Sequence, residues 1–176
     1  MASVDRVVVG VHGSLGSLQA LRYAVSQARE RDVPLVAVTA WVPPGGDLAE
    51  RRSPSSYLRR IWREAAYEKL LGAFDDGLGG RPPGVRLEPC VVRGEAAAVL
   101  VDVASHPGDL LVIGTGQRGR IRRALRRSVA RYCLAHAKCP VVAVPPSPLM
   151  DEAGRRFRHW SWRRVALPAD STAEAA

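Results

Sequence analysis

The alternation of short β-branched runs with longer helical stretches is what most limits how this chain can fold. "RVVVGV" (6–11), "PLVAVTAW" (34–41), "VRLEPCVV" (85–92), "DLLVIG" (109–114) and "VVAV" (141–144) each have strand length and apolar character. The segments between them carry helical spacing. Leu18, Leu21, Val25 and Ala28 fall on one face of the first. Ser56 is placed to cap a second helix running through Phe74, with Leu58, Ile61, Trp62, Ala65 and the stem of Lys69 on one stripe. "GEAAAVLVDVAS" supplies a third, with Ala97, Leu100, Val101 and Ala104 on its apolar face, and Ser128 caps "VARYCLAHA". Strand and helix in alternation predict an α/β fold of three layers, a five-stranded parallel sheet with helices on both faces and right-handed crossovers. "DLLVIG" has the continuous apolar character of a strand buried on both faces, whereas Pro89 assigns the third run to an outer or irregular position.

A chain of 176 residues, 47% apolar and 24% charged, has the size and usage of one globular domain with a tail. The strand pattern stops after Val144, so the domain is expected over 1–146 and a basic, aromatic tail over 147–176. In that tail "RRFRHWSWRRVALP" sets Phe157, Trp160 and Trp162 among five arginines. Such a segment either stacks on single-stranded nucleic acid or anionic lipid, or docks its rings onto the domain or a dimer mate. Docking is the expectation, since exposed tryptophans oppose solubility, and the last residues, "ADSTAEAA", are expected to be disordered. No apolar run reaches the ~18 residues of a membrane span, and the first residues lack the pattern of a secretory signal, so the cytoplasm is the expected location. Cys90, Cys133 and Cys139 are odd in number and too few for a disulfide framework, which agrees with a reducing compartment. Cys133, His136 and Cys139 lie three apart, but a zinc site needs four ligands, or three and water; buried thiols beside an incidental histidine are expected.

The net charge of +9 is almost wholly arginine, and its placement is uneven. No Asp or Glu occurs between Asp109 and Asp151, while Arg118, Arg120, Arg122, Arg123, Arg126, Arg127 and Arg131 crowd one segment. That segment is either a solvated face or a field that attracts phosphate, nucleic acid or an acidic surface. In open α/β sheets ligands bind beyond the carboxyl ends of the strands, where Gly10 to Ser14 and Gly114 to Gly119 both fall. The glycines at 10, 13 and 16 have the wrong spacing for a dinucleotide fingerprint and read most simply as a strand-to-helix turn. His12 reads as a hydrogen-bonded loop residue, because no Ser or Cys with an acidic partner can be paired with it.

"VVVGVHGSLGSLQALRYAVSQARERDVPLVAVTAW" and "GDLLVIGTGQRG...SVARYCLAHAKCPVVAV" resemble the opening and closing halves of a universal stress protein domain, over residues 5–146. The resemblance implies a five-stranded parallel sheet, a homodimer formed through the last strand (Val141, Val142, Ala143, Val144), and binding of ATP or another adenine nucleotide. It places Gly10, Val11 and His12 at the edge of the nucleotide pocket and Ala40 against the base. Around the phosphates it places Ile113, Gly114, Gln117, Gly119, Arg127, Ser128 and Val129. The family loop Gly-x2-Gly-x9-Gly-Ser/Thr brings bare backbone amides and a hydroxyl to phosphate. Here Gly114 and Ser128 keep their separation, while Gln117 and Arg127 stand at the two inner glycine positions. His12 stands where the family has Asp, which removes a group suited to a metal ion, so magnesium is not expected. Arg127 and its neighbours would supply the positive charge instead.

The expected role is a conformational or partner switch governed by nucleotide, not catalysis. Neither the Ser-Gly-Gly-x-Asp-Ser loop of ATP pyrophosphatases nor the His-x-Gly-His of nucleotidyl transferases occurs. The alternative is a dimeric interaction module that has lost the nucleotide, and, less favoured, a phosphate or nucleic-acid binder acting through the arginine cluster.

Overall fold

The computed structural model describes residues 3–52, 54–115 and 128–147. The chain divides into units of 1–146 and 147–176, and among the described residues only Ser147 belongs to the second. In chain order the elements are β1 (Arg6–Gly10), α1 (Leu15–Arg31), β2 (Leu35–Trp41), α2 (Gly46–Arg52), α3 (Ser56–Leu78), β3 (Leu87–Arg93), α4 (Ala96–Val103), β4 (Asp109–Gly114), α5 (Val129–His136) and β5 (Val141–Val144). The strands form one parallel sheet in the order β3-β2-β1-β4-β5. The α/β fold read from the alternation is therefore the observed one, and Pro89 lies in β3, at the sheet edge, where its missing N–H costs no central ladder bond.

Side chains of successive strand residues point to opposite faces, and the core splits accordingly. Val7, Val9, Leu35, Ala37 and Val112 pack with Leu18, Leu21, Val25 and Ala28 of α1 and with Leu70, Ala73 and Phe74 of α3. Val8, Val36, Val38, Leu111 and Ile113 pack with Val99, Leu100 and Ala104 of α4 and its C-cap, and with Cys133 of α5. β1 and β4 are thus covered on both faces, which their unbroken apolar character requires.

The longest helix departs from expectation in two ways. Its cap is Ser55, whose hydroxyl accepts from the Leu58 N–H at 3.2 Å, and Ser56 is the first helical residue. Its core stripe is Ala66, Leu70, Ala73, Phe74 and Gly77. The predicted stripe is turned out instead: Leu58 and Ile61 are 41% and 37% exposed, Ala65 and Lys69 are exposed, and Trp62 is half-buried against Trp41. Both sets obey helical spacing. Tertiary packing decides between them: Leu70, Ala73 and Phe74 join the core cluster with β1, β2 and α1, while Leu58 and Ile61 stay exposed. In α4 the buried residues are Val99 and Leu100, with Ala97 and Val101 at its margins.

At the amino ends of the strands, Asp109 is 2% exposed and takes a two-pronged ion pair from Arg6, Nε at 2.9 Å and Nη2 at 2.8 Å. The His106 N–H donates to the same carboxylate at 3.1 Å, and Arg6 Nη2 also reaches the Val103 carbonyl. Burial pushes the Asp109 carboxyl up, but the bonds from Arg6 and the His106 amide outweigh it and hold the group below the ordinary carboxylate range. A depressed folded pKa means that the stability it lends is complete above the unfolded value of about 4 and is lost as pH falls toward the folded value. Asp109→Asn should cost about 3 kcal/mol at neutral pH, the low end for a broken buried pair because Arg6 remains 30% exposed. Urea unfolding should show that gap closing below about pH 4; a gap unchanged in acid would refute the charge-based account.

Gly114 ends β4 directly beneath the first turn of α1. A Cβ there would strike the Gly16 carbonyl oxygen and lie 2.6 Å from its carbon and 2.9 Å from the Ser17 nitrogen, all backbone atoms that cannot rotate aside. Gly114→Ala should therefore lower stability by about 1–3 kcal/mol, read as a fall in Tm, and a neutral substitution would mean that α1 can lift off β4 without cost.

Candidate functional site

Strand order reverses direction between β1 and β4, so their carboxyl ends open a crevice of the kind that serves ligands in doubly wound sheets. The chain leaving β1 is tied down at once. Val11 is 3% exposed, its N–H donates to the Val38 carbonyl at 2.8 Å, and its carbonyl accepts from the buried Thr39 hydroxyl at 2.9 Å. Thr39 was not singled out from sequence; the signal was a lone hydroxyl within an otherwise apolar run.

The next residues build a compact turn. Gly13 has a φ of 76°, a backbone state that side chains disfavour. Ser14 caps α1 by accepting from the Ser17 N–H at 3.3 Å, and the Ser17 hydroxyl donates back to the Ser14 carbonyl at 2.9 Å. The His12 N–H donates to the same hydroxyl at 3.4 Å. His12 is exposed, and its Nδ1 accepts the Ser14 N–H at 3.2 Å. An amide can only donate, so in the neutral ring the proton sits on Nε2, which lies 3.4 Å from the Ser14 hydroxyl. In that tautomer Nε2 donates to Ser14 and has no lone pair to take its proton. The pair is a turn-forming contact, not a nucleophile with its base.

Ala40 is half-buried on the α4 side of the sheet, and Trp41 follows on the α3 side. Gly10 is covered by Leu100: a Cβ there would lie 2.9 Å from one of its methyl groups. Ile113 is a core residue at 2% exposure, and Thr115 beyond β4 donates N–H and hydroxyl to the Val144 carbonyl at 2.8 and 3.2 Å. Gln117, Gly119 and Arg127 lie outside the described residues, as do the arginines from 118 to 126. Ser128 and Val129 begin α5, which returns antiparallel to the strands and so starts at the same end of the sheet. Lys69 of α3 joins this end unpredicted: its Cε lies 3.6 Å from where a Cβ on Gly13 would stand. The structure thus brings together Gly10 to Ser14, Ala40, Gly114, Ser128 and Val129 at the carboxyl ends, with Ile113 and Val11 contributing only backbone.

The three residues weighed as metal ligands face different surroundings. Cys133 is fully buried with its thiol toward the Ala97 carbonyl, and burial pushes its pKa up to about 11. Cys139 faces the Ala104 carbonyl, and its thiol too is raised by burial. His136 is exposed, stacked on Tyr132 at 4.1 Å, with Nδ1 2.9 Å from the Tyr132 carbonyl. Among the described residues no helix is long and apolar enough to cross a membrane.

Residues 3–145 match the Universal stress protein family. Two Mycobacterium tuberculosis proteins are similar: universal stress protein Rv2623, 32% identical over 78% of this chain and 46% of its own length, and Rv2624c, 28% identical over 81% and 48%. The chain spans about half the length of these curated relatives. Among solved structures, a universal stress protein in complex with cAMP is 26% identical, with a TM-score of 0.55 over 82% of this chain and 99% of that one. UspA from Lactobacillus plantarum, 22% identical, shares the fold with a TM-score of 0.59 over 82% and 99%. With most of its length matched by the family and its sheet built in the same way, the chain belongs to the universal stress protein family.

Proposed function

We propose that the crevice between β1 and β4 binds an adenine nucleotide, and that occupancy acts as a switch of conformation or partner rather than as the start of a reaction. The observation that carries this reading is the start of α5. Ser14 and Ser55 cap α1 and α3 with their side chains, but Ser128 makes no such bond, so among the described residues the first amides of α5 have no side-chain cap. Orphan helix-start amides beside a serine hydroxyl suit a phosphate. Glu95, before α4, also makes no capping bond, but its carboxylate would repel an anion. Lys69 beside Gly13 adds a cation at the same end of the sheet. The cAMP complex of the similar protein supports the adenine portion of the reading. His12, a donor where a carboxylate would be needed, supports binding without magnesium.

Calorimetric titration with ATP, with and without magnesium, tests this after any nucleotide carried through purification has been removed. Saturable micromolar binding indifferent to magnesium is expected, with Ser128→Ala weakening it about tenfold through loss of one bond to a charged group. A folded protein that takes up no ATP or cAMP would leave the nucleotide-free interaction module as the working account.

Assembly has its own support. β5 ends the sheet, with Val141 and Val142 half-buried and Ala143 exposed, an apolar edge of the kind that pairs with another chain. On this reading two copies join through β5. Sedimentation should give a dimer that Ala143→Glu converts to monomer, and a monomeric parent protein would dismiss the interface.

A further inference from the structure

The contact between His12 and Ser14 depends on the charge of the imidazole. Nδ1 accepts the Ser14 N–H at 3.2 Å, in an exposed position where the chain leaves β1 for α1. Only the neutral ring can do this, because an acceptor at Nδ1 needs a lone pair, and imidazolium donates at both nitrogens. Two N–H groups facing each other at that distance repel, so a protonated ring must leave the amide.

The turn itself does not rest on the ring. Ser14 caps α1 through the Ser17 N–H, the Ser17 hydroxyl donates to the Ser14 carbonyl, and the same hydroxyl accepts the His12 N–H. Protonation of His12 therefore changes which donors the turn presents and leaves the start of α1 folded. The Ser14 amide is released, and the ring gains a second N–H and a positive charge. The first turn of α1 has no acidic residue to meet that charge. From α3 comes Lys69, its Cε 3.6 Å from where a Cβ on Gly13 would stand, and α5 starts at the same end of the sheet with exposed Arg131 in its first turn. Like charges oppose protonation, and a bound anion relieves that opposition. Anion binding and protonation of His12 thus favour each other.

We infer that His12 is a pH-dependent switch on the nucleotide crevice. Neutral, it keeps the Ser14 amide for itself; protonated, it releases that amide and joins it in holding a phosphate. The inference rests on the nucleotide reading given above and adds its regulation. Histidine ordinarily titrates at about pH 6.5, so affinity rises as pH falls through that region and levels off once the ring is neutral.

Calorimetry on the full chain with cAMP at about pH 5.5 and about pH 8 tests the inference, with thermal unfolding to check that the protein is folded at both. A phosphodiester keeps one charge across this range, whereas the terminal phosphate of ATP itself titrates near about pH 6. Binding should be about tenfold tighter at the lower pH, the worth of one charge-assisted bond. His12→Asn, whose amide does not titrate, should bind equally at both. Without any ligand, the NMR shift of the Ser14 amide should follow the same pH curve as the His12 ring protons. Affinity that is flat or rises with pH, a pH dependence kept by His12→Asn, or a Ser14 amide indifferent to the His12 titration would each overturn the switch while nucleotide binding stands. No cAMP binding at either pH, by a protein whose Ser14 amide does follow His12, would instead mark the failure of the nucleotide reading, and the switch would fall with it.

Discussion

β1 is hydrogen-bonded along both edges, to β2 and to β4, and buried on both faces. A strand so enclosed has no use for polar side chains, and Val7, Val8 and Val9 serve both core layers at once. The enclosure also sets where a ligand can go. Crossovers leave β1 toward one face and β4 toward the other, so the connections part at the carboxyl ends of these two strands and leave a crevice. The amino ends are closed by the Arg6–Asp109 pair, where a buried carboxylate is tolerated only because a guanidinium and an amide satisfy it.

The glycines at the crevice have two duties that are easily confused. Gly10 is bare because Leu100 lies on it, and Gly114 is bare because the backbone of α1 does. Packing alone accounts for both, so their presence does not by itself argue for phosphate. The serines separate the two duties more sharply. Ser14 and Ser17 are consumed in building the turn around Gly13, whereas Ser128 is not spent on a cap. His12 belongs with the first pair: a backbone amide holds its Nδ1 as an acceptor and thereby makes it a donor at Nε2.

Much of this was legible in the chain because burial leaves periodic traces. Leu18, Leu21, Val25 and Ala28 repeat at helical spacing and are all core. Pro89 excluded the third strand from the sheet centre, where β3 is indeed absent. Periodicity failed where two faces of one helix were both apolar. In α3 the stripe through Leu58 and Ile61 is as regular as the one through Ala66 and Leu70, and only the second is buried. The places that Asp109, Glu50 and Lys69 take in the fold were not legible for another reason: a charged residue shows nothing in sequence of a partner lying far along the chain.

The sequence by itself determined the order of strands and helices, the parallel sheet, the family, and the departures at His12, Gln117 and Arg127, since these rest on spacing and residue type along the chain. Tertiary structure alone decided which helix face joins the core, which glycines are covered and how Arg6 finds Asp109. Each of these depends on the distance between residues that only folding brings together. A linear pattern carries the cost of burying a side chain, but not the identity of what it is buried against.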